Sequence, residues 1–332
     1  MSETVPLTGF LKADVQVTPQ SKPTYDYSFM TGGLLSCFTY FCLPPCSSTC
    51  LTTFRNMSKL EANKPVEVAD ARKKQAEDGL NERDFFNKHG FVLLKHQTRM
   101  TAEDWLTSTA VPSAKKPLEK KPGEPSAVRD IYAQEIEPVI RELLPNANDI
   151  FFPASALRRG PGGPNTHYGV GVHQDYGLHP EDMKSGYKTG GTDSYEDFLE
   201  KLKREDTAGF SILNFWRPVL PMAGPVKSLP LALCDPSTVE AKDCLPIEVH
   251  GFVPGGQQSL ILRFRKDQKW YYYPNMTTDE VLVFRAFHYE RDVKVPNRHI
   301  RTVFHAAFNH PATSPQDEKR CSSEYRVGVW LK

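Results

Sequence analysis

The chain has almost no charge of one sign to spare: 41 Lys and Arg stand against 40 Asp and Glu in 332 residues. Nucleic-acid-binding domains concentrate basic residues, so this balance argues against a DNA or RNA partner and against a nucleic-acid demethylase. Long apolar runs are also missing. The richest, Leu34 to Leu43, stops at Pro44-Pro45, well short of the roughly 20 residues that a membrane-spanning helix needs. No secretory signal opens the sequence and the cysteine total of 7 is odd, which favours a reducing, cytoplasmic setting. The sequons at Asn56 and Asn275 therefore say little. The glycine-rich turn Arg158–Pro164 lacks both a Gly-Lys-Ser/Thr and a following helix, so it is not a phosphate-binding loop.

What is present is length enough for one large domain or two small ones, 27 prolines and 11% aromatic residues. That mix suits a loop-rich β protein with a small-molecule pocket better than a helical bundle. Cys37, Cys42, Cys46 and Cys50 cluster near the start. They lack the paired C-x-x-C form of a zinc site, which leaves a Cys-containing arm, with zinc binding or acylation as alternatives.

Residues 1–60 show no sustained period and read as an irregular arm; the remainder, 61–332, reads as one domain. Asn81 to His89 predicts a helix with Gly90 as its stop, followed by a buried strand Phe91–Leu94. Residues 112–125 are a Pro- and Lys-rich loop. From Ser126 to Pro145, Val128, Ile131, Tyr132, Ile136, Val139, Ile140 and Leu143 recur at helical spacing. A shorter helix is predicted around Tyr195, Phe198, Leu199 and Leu202. Strands then dominate: Phe210 to Trp216, Gln258 to Phe264, Val281 to Phe284, Thr302 to Phe308 and Tyr325 to Leu331. Helices early and strands late argue for an antiparallel, mainly β member of the α+β class: a double-sheet jelly roll backed by helices.

The chemistry centres on His173-Gln174-Asp175. In an extended segment, alternate side chains share a face, so His173 and Asp175 point together. A second histidine would complete a two-His, one-carboxylate face with open positions, the arrangement of non-haem Fe(II) oxygenases. His305 fits, because it lies in an apolar strand beside the small Ala306 and Ala307; His310, at a strand end before Pro311, is the alternative. A core or surface histidine remains open for either. Arg326 shares a face with Gly328 and Trp330 in the last strand. A buried arginine needs an acid, which is either a dicarboxylate ligand or an internal Asp or Glu. Arg320 reads as loop.

Several stretches, in order, carry a resemblance: Val66–Arg72, Lys88–Phe91, Val172–Asp175, Asn214–Pro218, Pro230–Asp235, Trp270–Met276, Asp279–Phe284, Phe304–Phe308 and Ser323–Arg326. With these the chain resembles the fungal gibberellin desaturase-like and cephem methoxylase-like Fe(II)/2-oxoglutarate-dependent oxygenases. The resemblance implies a double-stranded β-helix (jelly roll, cupin-like). It implies Fe(II) on His173, Asp175 and His305, chosen over His310, with 2-oxoglutarate and O₂ as cosubstrates. Arg326, rather than Arg320, is then expected to bind the far carboxylate of 2-oxoglutarate. The implied reaction is hydroxylation, desaturation or cyclisation of a secondary-metabolite or amino-acid-derived small molecule. Asn214, Trp216, Arg217, Tyr272 and Tyr273 are candidates for the pocket wall. Arg301 is a candidate for a substrate carboxylate, with an internal ion pair as the equal alternative. Rival readings are an iron oxidase on the same triad that uses no keto acid, an inactive metal- or small-molecule-binding barrel, and a zinc hydrolase.

Overall fold

The computed structural model describes residues 2–11, 24–26, 61–108, 127–159, 168–183, 195–250, 257–291 and 300–332. Its architecture follows from β6 (Gly209–Pro218), in which all ten residues are buried. A strand with no solvent-facing side must be covered on both faces. It is the centre of a five-stranded antiparallel sheet in the order β4 (Phe91–Lys95), β11 (Glu280–Glu290), β6, β13 (Cys321–Leu331), β5 (Ala147–Arg159). One face of this sheet carries Leu213, Phe215, Val281, Val283, Val327 and Val329 and packs against helices. These are α1 (Ala71–Glu77), α2 (Glu82–His89) and α4 (Ala133–Leu143, entered through a π-helical turn at Val128–Tyr132); α3 (Ala102–Ser108) adds Trp105.

The local reasons are visible for α2. Asn81 accepts a hydrogen bond from the Asp84 N–H at 2.8 Å and caps the start, while Gly90 ends the helix at φ 73°, a conformation that glycine adopts without strain. Phe85 and Phe86 fill the space between α2 and the sheet. α5 (Tyr195–Lys203) brings Phe198 and Leu202 onto Phe210, Ile212 and Trp330.

A second five-stranded sheet runs β1 (Glu3–Leu11), β3 (Glu61–Asp70), β10 (Trp270–Tyr272), β7 (Leu231–Cys234), β12 (His305–Ala307). Only its β3–β10 pairing is parallel. The two sheets face one another, with the Phe284 ring of the first 4.8 Å from the His305 ring of the second. This is the expected jelly roll. β2 (Thr24–Asp26), β8 (Cys244–His250) and β9 (Gln257–Leu262) form a third, smaller sheet. Among the described residues no helix is long and apolar enough to cross a membrane.

Three expectations need correction. Residues 1–60 are not irregular throughout: Glu3–Leu11 is a strand with Val5, Leu7, Phe10 and Leu11 buried. Its period-two pattern is short and interrupted by Pro6, so it does not stand out in sequence. The strand predicted over Thr302–Phe308 shrinks to His305–Ala307, because Arg301 and Thr302 form a bend. Arg158 and Arg159 belong to β5 rather than to the turn after it. The cysteine cluster at 37–50 and the loop at 112–125 lie outside the described residues.

Phe85 is fully buried and meets Phe91 edge to face at 5.9 Å. Phe85→Ala should cost about 3–5 kcal/mol in urea unfolding; a loss under about 1 kcal/mol would mean that α2 does not anchor to the sheet as described.

Candidate metal centre

The segment 169–175 runs beside β12, the edge strand of the smaller sheet, and bridges to β9 through Gln174 and Leu260. The His173 N–H donates to the His305 carbonyl at 3.1 Å and the His305 N–H returns the bond at 2.9 Å. Residues that exchange both bonds sit directly opposite, with side chains on one side. The two imidazole rings accordingly lie 4.4 Å apart. Asp175, two residues on, joins the same face, with Oδ1 3.6 Å from His173 Nε2. One ligand atom from each of His173, Asp175 and His305 lies within 4.8 Å of the others.

Both rings are oriented for metal binding. His173 Nδ1 lies 2.7 Å from the Gly171 carbonyl and His305 Nδ1 3.2 Å from the Val303 carbonyl. A carbonyl only accepts, so each Nδ1 carries the proton and each Nε2 keeps its lone pair. Gln174, on the opposite face, donates to the Ala286 carbonyl of β11 and accepts from the Tyr176 N–H, tying the motif to the larger sheet.

Charge is arranged around the carboxylate. Burial opposes ionisation of Asp175, but the Arg326 guanidinium and the His173 ring beside it hold its carboxyl well below the usual range. Arg326 Nη2 is 3.1 Å from Asp175 Oδ2 and 3.7 Å from Glu324. Glu324 is gripped in turn by Arg158 at 2.6 and 3.0 Å. Burial and the neighbouring His173 push His305 down to about 4. Burial works against His173 as a cation, yet Asp175 raises it above its ordinary value.

Arg326 therefore reaches the site, but as the partner of internal acids. Arg320 is different. It directly precedes β13 and is 1% exposed, with its guanidinium 4.3 Å from the Tyr168 ring and 5.4 Å from that of Trp216. It donates to the Leu229 carbonyl, its buried Nε has no partner, and among the described residues no carboxylate pairs with it. Burial pushes it down to about 9. Ser322 Oγ, Asn214 Oδ1 and Trp216 Nε1 are also buried without partners. Asn214 stands opposite Arg326, and Trp216 opposite Glu324, across the β6–β13 pairing. These groups share the face of the larger sheet that looks toward the triad.

Of the expected pocket and substrate contacts, Asn214 and Trp216 are on this face, and Arg301, Tyr272, Arg217 and Tyr273 are not. Arg301 donates to His288 Nε2 at 2.9 Å and pairs with Glu290. His288 bonds Ser211, which has the same parity as the helix-facing Leu213. The bend at Arg301 and Thr302 breaks the alternation that would have aligned Arg301 with His305. Tyr272 shares its face with Ala232 and Ala306, opposite to His305 and Leu233, and bonds His310 at 2.9 Å. His310 also meets Glu3 at 3.1 Å and stands apart from the triad. Arg217 bonds His96 at 3.0 Å, and Tyr273 donates to Gln75 at 2.7 Å, both away from the triad.

Comparison with known proteins bears on the same region. A family profile described as "Oxidoreductase/YMDC permease-like domain" matches residues 46–330. The chain belongs to that family. Its relatives include the hydroxylase/desaturase asaB of Aspergillus flavus, 31% identical over 137 residues, 37% of this chain and 56% of that protein. The match thus spans about half the length of that relative. Oxidoreductase R2 of a Phoma species is 23% identical over 288 residues, 80% of this chain and 85% of that one. Among solved structures, the iron and alpha-ketoglutarate-dependent endoperoxidase NvfI superposes with a TM-score of 0.62 at 16% identity, over 99% of this chain and 98% of its own. That likeness establishes the jelly-roll fold.

Metal binding requires unprotonated imidazoles, and His305 has lost its proton well below neutrality. His173, whose value is raised, then sets the proton competition. Affinity for Co(II), measured calorimetrically, should be level above the His173 pKa and fall by about tenfold per pH unit below it. A pH-independent affinity across that range would contradict the assignment of His173 as a ligand.

Proposed function

We infer that the protein is a non-haem Fe(II)- and 2-oxoglutarate-dependent oxygenase that oxidises a C–H bond of a small organic molecule. The convergence of His173, Asp175 and His305 within 4.8 Å carries this reading. Two neutral imidazole nitrogens and one carboxylate oxygen suit Fe(II) and leave positions for further ligands. The names of the fungal relatives, a hydroxylase/desaturase and an oxidoreductase, support it, as does that of the structural neighbour. The finer kinship with gibberellin desaturase-like and cephem methoxylase-like enzymes rests on the ordered sequence marks alone.

When bound, iron with 2-oxoglutarate and O₂ supplies the oxidising power, releasing succinate and CO₂ as hydrogen leaves the substrate. The protein's residues hold and shield. His173 and His305 present Nε2, and Asp175 presents Oδ1 while Arg326 retains Oδ2 at 3.1 Å. Phe284, against His305, keeps an apolar wall beside the ligands.

The far carboxylate of 2-oxoglutarate is assigned to Arg320 and Ser322, in place of Arg326. The physical criterion is the cost of a buried cation without an acid. Both arginines have an unpartnered Nε, but Arg326 already has Asp175 and Glu324, whereas Arg320 has only stacked rings and one carbonyl. A dicarboxylate is the partner that Arg320 lacks, and its planar fork matches both oxygens. Asn214 and Trp216 then offer polar atoms toward the space between the triad and Arg320.

His173→Ala and Asp175→Ala should each abolish succinate formation from 2-oxoglutarate while the fold persists by circular dichroism. Unchanged turnover in either variant removes the iron assignment. Arg320→Leu should raise the KM for 2-oxoglutarate about ten- to a hundredfold, the value of a lost charged hydrogen bond. If Arg326→Leu raises that KM instead and Arg320→Leu does not, the clamp is Arg326.

A further inference from the structure

β1 lies outside residues 46–330, which the family profile matches, yet it touches the metal-bearing segment directly. It pairs with β3 from Glu3 to Leu7 and again at Phe10 and Leu11, and its register shifts in between. Such a bulge frees backbone groups from one neighbour and re-aims them. Thr8 and Gly9 are the residues released, and they meet residues 170–172.

The contacts are specific. The Thr8 carbonyl accepts from the Val172 N–H at 2.7 Å, and Thr8 Oγ1 donates to the Val170 carbonyl at 2.6 Å. Thr8 also forms a parallel bridge with Gly171. Gly9 has φ 84°, and a Cβ placed on it would lie 2.7 Å from Val172 N and 2.8 Å from Gly171 Cα. Both the conformation and the close approach of the two backbones require glycine. Gly171 in turn supplies the carbonyl that holds His173 Nδ1 at 2.7 Å. That bond selects the tautomer and the ring direction which aim Nε2 at the metal.

We propose that β1 is a positioning element of the metal centre, in which Thr8 and Gly9 fix Gly171, and Gly171 fixes the His173 ring. This rests on the metal-centre reading of His173, Asp175 and His305. Residues outside the matched family region thereby set the geometry of a ligand inside it.

Co(II) titration of the full chain, with the wild type beside Gly9→Val, Thr8→Val and Gly79→Ala, separates the possibilities. Gly79 has φ 62° with nothing within 4 Å of a placed Cβ, so its variant carries backbone strain without a clash. Gly9→Val should weaken Co(II) binding about ten- to a hundredfold, as loss of an outer-sphere partner does, and Thr8→Val should weaken it in the same direction to a lesser degree. Gly79→Ala should match the wild type. The His173 ring N–H, observed as a paramagnetically shifted exchangeable proton in the Co(II) protein, should exchange faster in both β1 variants. If Gly9→Val fails to fold, Thr8→Val, which keeps the side-chain volume, decides by the same two readouts. Folded β1 variants with wild-type affinity and exchange overturn the positioning role, as does equal weakening in Gly79→Ala. A wild type that binds no Co(II) overturns the metal-centre reading itself.

Discussion

The site depends on one pair of main-chain hydrogen bonds, those exchanged by His173 and His305 at 3.1 and 2.9 Å. They join the segment beside the edge of the smaller sheet to a strand 132 positions further along, with no side chain involved. Because the pairing is reciprocal, it decides that the two rings fall on one side and at one level. Asp175 follows from the pleat alone. Three metal-ligating groups thus converge through backbone geometry before any ion is considered, which is the preorganisation that a metal site needs.

Burying this set has an electrostatic consequence. A carboxylate and two imidazoles between two sheets are costly without compensation. Arg326 compensates Asp175, Glu324 compensates Arg326, and Arg158 compensates Glu324. The alternation of sign runs from the metal ligand outward across β13 and β5. Arg320, just before β13, stands outside that chain and stacks on Tyr168 and Trp216 instead. Two arginines six positions apart therefore differ in whether an acid already compensates them.

Much of this was legible before the fold was known. The α2 caps, Asn81 and Gly90, are local signals, and the strands of the larger sheet carry enough apolar residues to declare themselves. His-x-Asp is a period-two statement and holds in any extended backbone. The failures are where period two was carried past a break. The bend at Arg301 and Thr302 turns Arg301 toward His288 and Glu290. Tyr272 lies on the far face of the smaller sheet because of its register with Ala232, which no local pattern reveals. β1 was missed because its strand signal is brief and its bulge leaves no sequence mark beyond a glycine.

The sequence by itself determined the fold class and the ligand types, since hydrophobic period, capping chemistry and the donor atoms of His and Asp are properties of the residues. Only tertiary structure decided how the distant His305 is brought level with His173, which arginine is already matched to acids, and which strand backs the metal-bearing segment. Those are questions of register and of charge compensation between segments far apart in the chain. Pairing energies between such segments arise only once the sheets have closed around them.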